Sequence, residues 1–196
     1  RPSNTATAYV GCVDFDAALA LFRNIRAEAY EFLTGFEVMS AACLPLAHLV
    51  DPDLTPPFEA PVHVLVRLGA VAKLPLEEML ETLLTGAMEK RLAQDAVLAQ
   101  SEGQAARLWA LREGLVEGHS KRGYHVRSDV SVRLGDVPCL VARLEAMLAE
   151  EFPAWISQAY GHMGDGNIHF NALPPLDMPD QTARDIGRQI EARIFD

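Results

Sequence analysis

The sequence predicts an α+β fold: two ferredoxin-like lobes with a mostly antiparallel sheet and helices packed on it. Three observations carry this. Extended and helical hydrophobic periods alternate along the chain in the rough order βαβα, βαβα, βα, ββα. Asp165-Gly166, set between two alternating runs, is a tight hairpin signal of an antiparallel pair. The β-α-β units suit ferredoxin-like lobes better than a doubly wound parallel sheet.

The elements read as follows. Residues 5–13 form a strand. Residues 15–33 form a helix, with Asp14 or Asp16 at its N-cap and Gly35 just past its end. A short strand spans 36–39, and Ser40 is placed to cap a helix reaching Leu49. Segment 51–61 holds four prolines and is read as a loop and as the boundary between lobes. Val62, Val64, Val66 and Leu68 alternate with His63, Leu65 and Arg67 in a strand. A helix covers 75–92 with Pro75 in its first turn, followed by a strand at 95–99 and a helix at 101–119. In 123–131, Tyr124, Val126, Ser128 and Val130 take one face, and His125, Arg127, Asp129 and Ser131 the other. A helix at 136–151 precedes strands at 155–162 and 167–173. Pro174, Pro175 and Pro179 separate these from a last helix marked by Ile186, Ile190 and Ile194. No stop signal follows that helix, and the first residue is Arg1 rather than Met. The expectation is one domain over 1–196, cut from a longer protein and truncated at its C-terminus.

With 196 residues, 49% of them hydrophobic and 22% charged, the chain can bury a real core. Its net charge of −10 repels phosphate backbones, which excludes nucleic acid as a partner. No apolar run approaches the roughly 18 residues of a membrane helix. Three cysteines, widely spaced and without a C-x-x-C, argue against a disulfide framework and fit a reducing, cytoplasmic setting.

The chemistry is concentrated in Tyr160-Gly161-His162-Met163-Gly164-Asp165-Gly166-Asn167-Ile168-His169-Phe170-Asn171. A two-residue turn at Asp165-Gly166 would set His162 directly opposite His169. Strand alternation puts Tyr160, His162, His169 and Asn171 on one face. The other face takes Ala159, Gly161, Met163, Ile168, Phe170 and Ala172. Paired imidazoles fit a divalent metal, with open positions because two ligands cannot close a structural site. The alternative is two satisfied polar histidines brought together by a hairpin. Arg112 lies in or beside the stripe Leu108, Leu111 and Leu115. It either snorkels or grips a carboxylate with its planar fork. Arg127, on a polar strand face, is either a second anion contact or simply solvated.

The run from Gly161 to Asn171 resembles the G-H-x-G-D-G-N-x-H segment of the FAD-linked oxidase C-terminal domain. That family includes D-lactate dehydrogenase, D-2-hydroxyglutarate dehydrogenase and the glycolate oxidase flavin subunit. Trp109-Ala110-Leu111-Arg112-Glu113, Gly123-Tyr124, Asp129-Val130-Ser131, Tyr9-Val10-Gly11 and the stretch from Leu33 to Met39 extend the resemblance over the whole chain. It implies a cap over a flavin, in an enzyme passing hydride from the α-carbon of a 2-hydroxy acid to FAD. His162 and His169 would be ligands of zinc or manganese. Arg112, Arg127 and Asn171 would meet substrate, and Asn171 also the flavin. Relatives acting on 2-hydroxyglutarate carry Lys in place of Arg127 and Thr in place of Val116. The resemblance also implies that the FAD domain of the parent chain precedes this segment. A glutamate completing the metal site and a histidine serving as base would follow it, so no catalytic base is assigned within the chain. Alone, the segment is expected to be inactive, and its bare flavin-facing surface leaves a homodimer open. A different class of reading is a non-catalytic ferredoxin-like module that binds a small acid or a metal.

Overall fold

A computed structural model describes residues 4–196. Its strands are β1 (Asn4–Cys12), β2 (Leu33–Ser40), β3 (Val62–Ala70), β4 (Asp95–Leu98), β5 (Val126–Ser131), β6 (Ile156–His162) and β7 (Asn167–Leu173). Its helices are α1 (Phe15–Ala29), α2 (Leu44–Val50), α3 (Leu76–Glu89), α4 (Glu102–Arg122), α5 (Val137–Glu151) and α6 (Asp180–Phe195). The strands form one seven-stranded sheet in the order β4-β1-β3-β2-β6-β7-β5. Every neighbouring pair is antiparallel.

The path β1-α1-β2-β3-α3-β4, with spatial order 4-1-3-2, is a ferredoxin-like half. The path β5-α5-β6-β7-α6 repeats its first part with β7 between β5 and β6. The two halves share a single sheet, joined where β2 pairs β6. The proline-rich segment 51–61 is therefore not the division between them. It returns the chain from α2 to β3, and β3 lies between β1 and β2. The crossing from one half to the other is α4.

Local chemistry explains the element ends. Asp14 caps α1, its carboxylate accepting the Ala17 N–H at 2.7 Å. Ser101 caps α4 through the Gln104 N–H at 3.2 Å. Ser40 caps nothing: its hydroxyl accepts the Ala159 N–H at 3.1 Å and so ties β2 to β6. Gly35 lies within β2 instead of ending α1. A side chain there would stand 3.1 Å from the Trp109 ring, so glycine lets α4 approach the strand.

Apolar side chains split by strand parity. Ala8, Val10, Val38, Val64, Val66, Ile168, Phe170 and Ala172 join residues of α1, α3, α5 and α6 in the larger core. On the opposite face, Tyr9, Met39, Leu65 and Tyr160 pack under α2 and α4 through Leu46, Ala47, Leu108, Leu111 and Leu115. The helices α2 and α4 lie so close at Gly118 that a methyl there would sit 2.7 Å from the Leu46 carbonyl carbon. Gly118→Ala should therefore cost about 1–3 kcal/mol by overpacking. Urea denaturation measures this, and an unchanged midpoint would show that the helices part freely.

Candidate functional site

On the face that carries α2 and α4, cross-strand register sets the side chains in rows. One row reads Leu65, Glu37, His162, Asn167, Ser131. The next reads His63, Met39, Tyr160, His169, Asp129. A third reads Gln158, Asn171, Arg127. Tyr160, His162, His169 and Asn171 thus share one face, as the alternation predicts. The pairing differs from expectation by two residues: His169 faces Tyr160, and His162 faces Asn167.

The turn accounts for the shift. Met163 is buried in the larger core, and Met163–Asp165 coils into a 3-10 turn closed by Gly166 in the left-handed region, φ 72°. The Asp165 carboxylate accepts the Asn167 N–H at 3.1 Å. Core packing of Met163 thus replaces the two-residue turn with a four-residue connection. A change of two in register preserves the face, whereas a change of one would have inverted it. The imidazoles become a diagonal pair, with ring centroids 6.3 Å apart at 74°.

Each imidazole is held by a carboxylate directly across from it. His162 Nδ1 bonds Glu37 Oε1, and His169 Nδ1 bonds Asp129 Oδ1. Such bonds fix the tautomer and ring orientation and direct the Nε2 lone pair away from the carboxylate. Neither Nε2 has a hydrogen-bond partner among the described residues. Those residues also contain no group of three or more His, Cys, Asp or Glu able to hold a metal.

Glu37 was missed by the motif reading. It is 6% exposed, and its second oxygen accepts from Arg112 Nε at 2.9 Å. Arg112 is equally enclosed, its guanidinium carbon 4.7 Å above the Tyr160 ring. Arg112 therefore does not snorkel; it is paired within the chain, with its Nη groups free of hydrogen bonds. The signal for Glu37 was one acid at an inward position of the otherwise apolar run Phe36-Glu37-Val38-Met39.

Asn171 is buried beside Tyr160, and neither amide atom makes a hydrogen bond of normal geometry. Arg127 is exposed on β5, and Val116 is half exposed on α4, one turn beyond Arg112. The Tyr160 ring lies 5.8 Å from that of His119, which stacks 4.6 Å from His125. Burial, and then the neighbouring His125, push the His119 pKa down to about 4, although hydrogen bonds to Gln158 and Leu115 pull upward. Burial pushes the Cys43 thiol up to about 12, which makes it unreactive.

Two outcomes follow. Glu37→Ala leaves the Arg112 charge buried and unpaired, and should cost about 3–5 kcal/mol in urea denaturation. A loss below 1 kcal/mol would mean that the pair holds nothing. His119 gives a pH signature. Between about pH 6.5 and about 4 the unfolded chain binds a proton that folded His119 refuses. Stability should fall by up to about 3 kcal/mol as pH drops through that window, and His119→Gln should flatten the slope. Denaturation midpoints across pH 4 to 7 measure it.

The model of the family "FAD linked oxidases, C-terminal domain" matches residues 1–194. The mitochondrial D-2-hydroxyglutarate dehydrogenase of Bos taurus is 34% identical over 171 residues, covering 87% of this chain and 31% of that protein. The D-2-hydroxyglutarate dehydrogenase of Stutzerimonas stutzeri is 32% identical over 177 residues, covering 89% of this chain and 37% of its own length. The chain thus spans about a third of these relatives. Among solved structures, p-cresol methylhydroxylase with bound substrate superposes with a TM-score of 0.62 at 11% identity, over 99% of this chain and 42% of that one. An alkyldihydroxyacetonephosphate synthase reaches 0.60 at 9% identity, over 98% and 39%. Both share its α+β fold. No helix among the described residues is long and apolar enough to cross a membrane. Because the family model matches residues 1–194, this chain belongs to the FAD linked oxidases, C-terminal domain family.

Proposed function

We propose that this chain is the substrate-positioning domain of a flavoprotein that oxidises a 2-hydroxy acid. The observation that carries the reading is the histidine pair: two imidazoles on one sheet face, each braced by a carboxylate at Nδ1, beside a half-buried arginine with unused N–H donors.

The donor set fits a divalent metal. An imidazole whose Nδ1–H is donated to a carboxylate presents a basic, oriented Nε2, the form in which histidine ligates metals. His162 and His169 would hold zinc or manganese, with further ligands from outside the described residues. Such an ion, when bound, supplies Lewis acidity toward the hydroxyl and carboxylate oxygens. FAD, which would be held mainly by another domain of the parent chain, supplies the two-electron acceptor. The Asn171 amide, buried beside Tyr160 and without a well-formed hydrogen bond, fits a hydrogen-bonding ligand on this face, either substrate or flavin.

The chain's own groups do the positioning. Glu37 neutralises Arg112 and fixes its plane over Tyr160, so the Nη groups can meet a carboxylate without reorganising. Glu37 and Asp129 hold the two rings against rotation. Arg127 offers an exposed, solvated second charge on the same face. No proton acceptor for the hydroxyl is assigned within the chain.

The test uses the full-length flavoprotein. Its flavin should be reduced by a D-2-hydroxy acid, and chelation should abolish this until zinc or manganese is restored. His162→Ala and His169→Ala should each lower kcat/KM at least 100-fold. Arg112→Lys keeps a charge against Glu37 but loses the fork, and should cost about 2–4 kcal/mol of transition-state stabilisation. Metal binding without any flavin reduction would instead identify a binding module and sink the oxidation reading.

A further inference from the structure

His119 is buried on α4 and takes no part in the proposed chemistry. It stands about two helical turns beyond Arg112, so both side chains leave α4 toward the same part of the sheet. Its ring stacks on Tyr160 at 5.8 Å and 27°, while the Arg112 guanidinium lies 4.7 Å from the same ring. His119 Nδ1 lies 2.8 Å from the Leu115 carbonyl oxygen, and Nε2 lies 2.9 Å from Gln158 Oε1. Both partners are acceptors, and a neutral ring donates to one at a time. Only the bond to Gln158 crosses from the helix to the sheet. The Gln158 amide in turn donates to the Ala42 carbonyl, in the turn that leads into α2. One buried amide thus ties β6 to α4 and to the start of α2.

Two polar pins therefore hold α4 on the sheet: Arg112 to Glu37 on β2, and His119 to Gln158 on β6. One pin would let the helix pivot; two fix its direction. Gln158 and Tyr160 are alternate residues of β6 and share a face, so the second pin stands beside the ring that Arg112 rests on. The Arg112 bond uses Nε alone, so the placing of its Nη groups depends on that ring. Of the groups packed on the ring, Arg112 and His169 belong to the candidate ligand set, and His119 does not. Burial, and then the neighbouring His125, keep His119 uncharged at neutral pH, so it backs the ring without setting a second cation against Arg112.

We infer that His119 and Gln158 are positioning residues, which act through Tyr160 to hold Arg112 at the height and plane in which its Nη groups meet a substrate carboxylate. The inference rests on the hydroxy-acid reading and extends it to two residues outside the ligand-contacting set.

Two substitutions separate the tie from packing. His119→Gln keeps a donor that reaches Gln158, whereas His119→Asn reaches only the carbonyl of its own helix. In the full-length flavoprotein, His119→Asn and Gln158→Leu should each raise KM for a D-2-hydroxy acid about tenfold, with kcat changed less than about threefold. His119→Gln should stay near wild type. Replacing both partners, His119→Leu with Gln158→Leu, removes the bond without leaving an unpaired polar group, so the denaturation midpoint should recover while KM stays raised. If KM recovers together with the midpoint, the pair is merely structural and the inference fails. A second readout needs no turnover. With nitrogen-15-labelled arginine, the Arg112 Nε–H resonance, identified by its loss in Arg112→Lys, lies in the ring current of Tyr160. It should move in His119→Asn and return in His119→Gln. A resonance unmoved in His119→Asn overturns the inference whatever the activity. If the wild-type enzyme oxidises no hydroxy acid, the hydroxy-acid reading fails, and the resonance still judges the clamp.

Discussion

The carboxylate of Glu37 is the point on which the site depends. It is buried at the seam where β2 meets β6, and that seam joins the two halves of the sheet. One oxygen accepts from Arg112 on the helix that connects the halves; the other meets His162 on the far strand. A carboxylate alone in such a place would be costly, and so would the guanidinium. Each makes the other tolerable, and the imidazole uses the remaining oxygen. The orientation of His162, the plane of Arg112 and the alignment of α4 thus depend on one acid, while Asp129 braces His169.

Charge distribution adds a second constraint. The chain carries a net −10, yet Arg112, Arg127, Arg67 and Arg26 gather on or beside one sheet face and its end. Only Arg112 is neutralised by a carboxylate. Elsewhere arginines and acids pair locally, as Arg184 does with Asp180 and Arg193 with Glu151. Glu37, Asp129 and Asp165 stand among these arginines, so the site face interleaves charges of both signs.

Much of this was legible in the sequence because strand parity is robust. The order of elements, the antiparallel α+β class and the shared face of Tyr160, His162, His169 and Asn171 all follow from hydrophobic periods of 2 and 3.6. Register was not legible, because burial of Met163 is a tertiary event that turn chemistry does not encode. The lobe boundary failed for a similar reason: four prolines mark a loop, but not whether β3 returns beside β1. Glu37 was hidden by distance, since its partners lie 75 and 125 residues away. A charged residue at an inward strand position says that a partner exists, but not which one.

The diagonal pairing has a consequence for what the site can hold. Directly opposed histidines would have met each other first, each ring available to the other. Offset by one row, the rings no longer face each other across β6 and β7, and each has a carboxylate across its outer neighbour: Glu37 on β2 for His162, Asp129 on β5 for His169. The offset leaves each imidazole braced from a different neighbouring strand. It also inserts Tyr160 between His169 and Arg112, its ring 5.0 Å from the His169 ring and 4.7 Å from the guanidinium. An aromatic face there accommodates the cation without competing for its N–H donors, which a polar residue would do. Imidazole acceptors and guanidinium donors are held on either side of one rigid ring, and a ligand bearing both a hydroxyl and a carboxylate is the kind that such spacing suits.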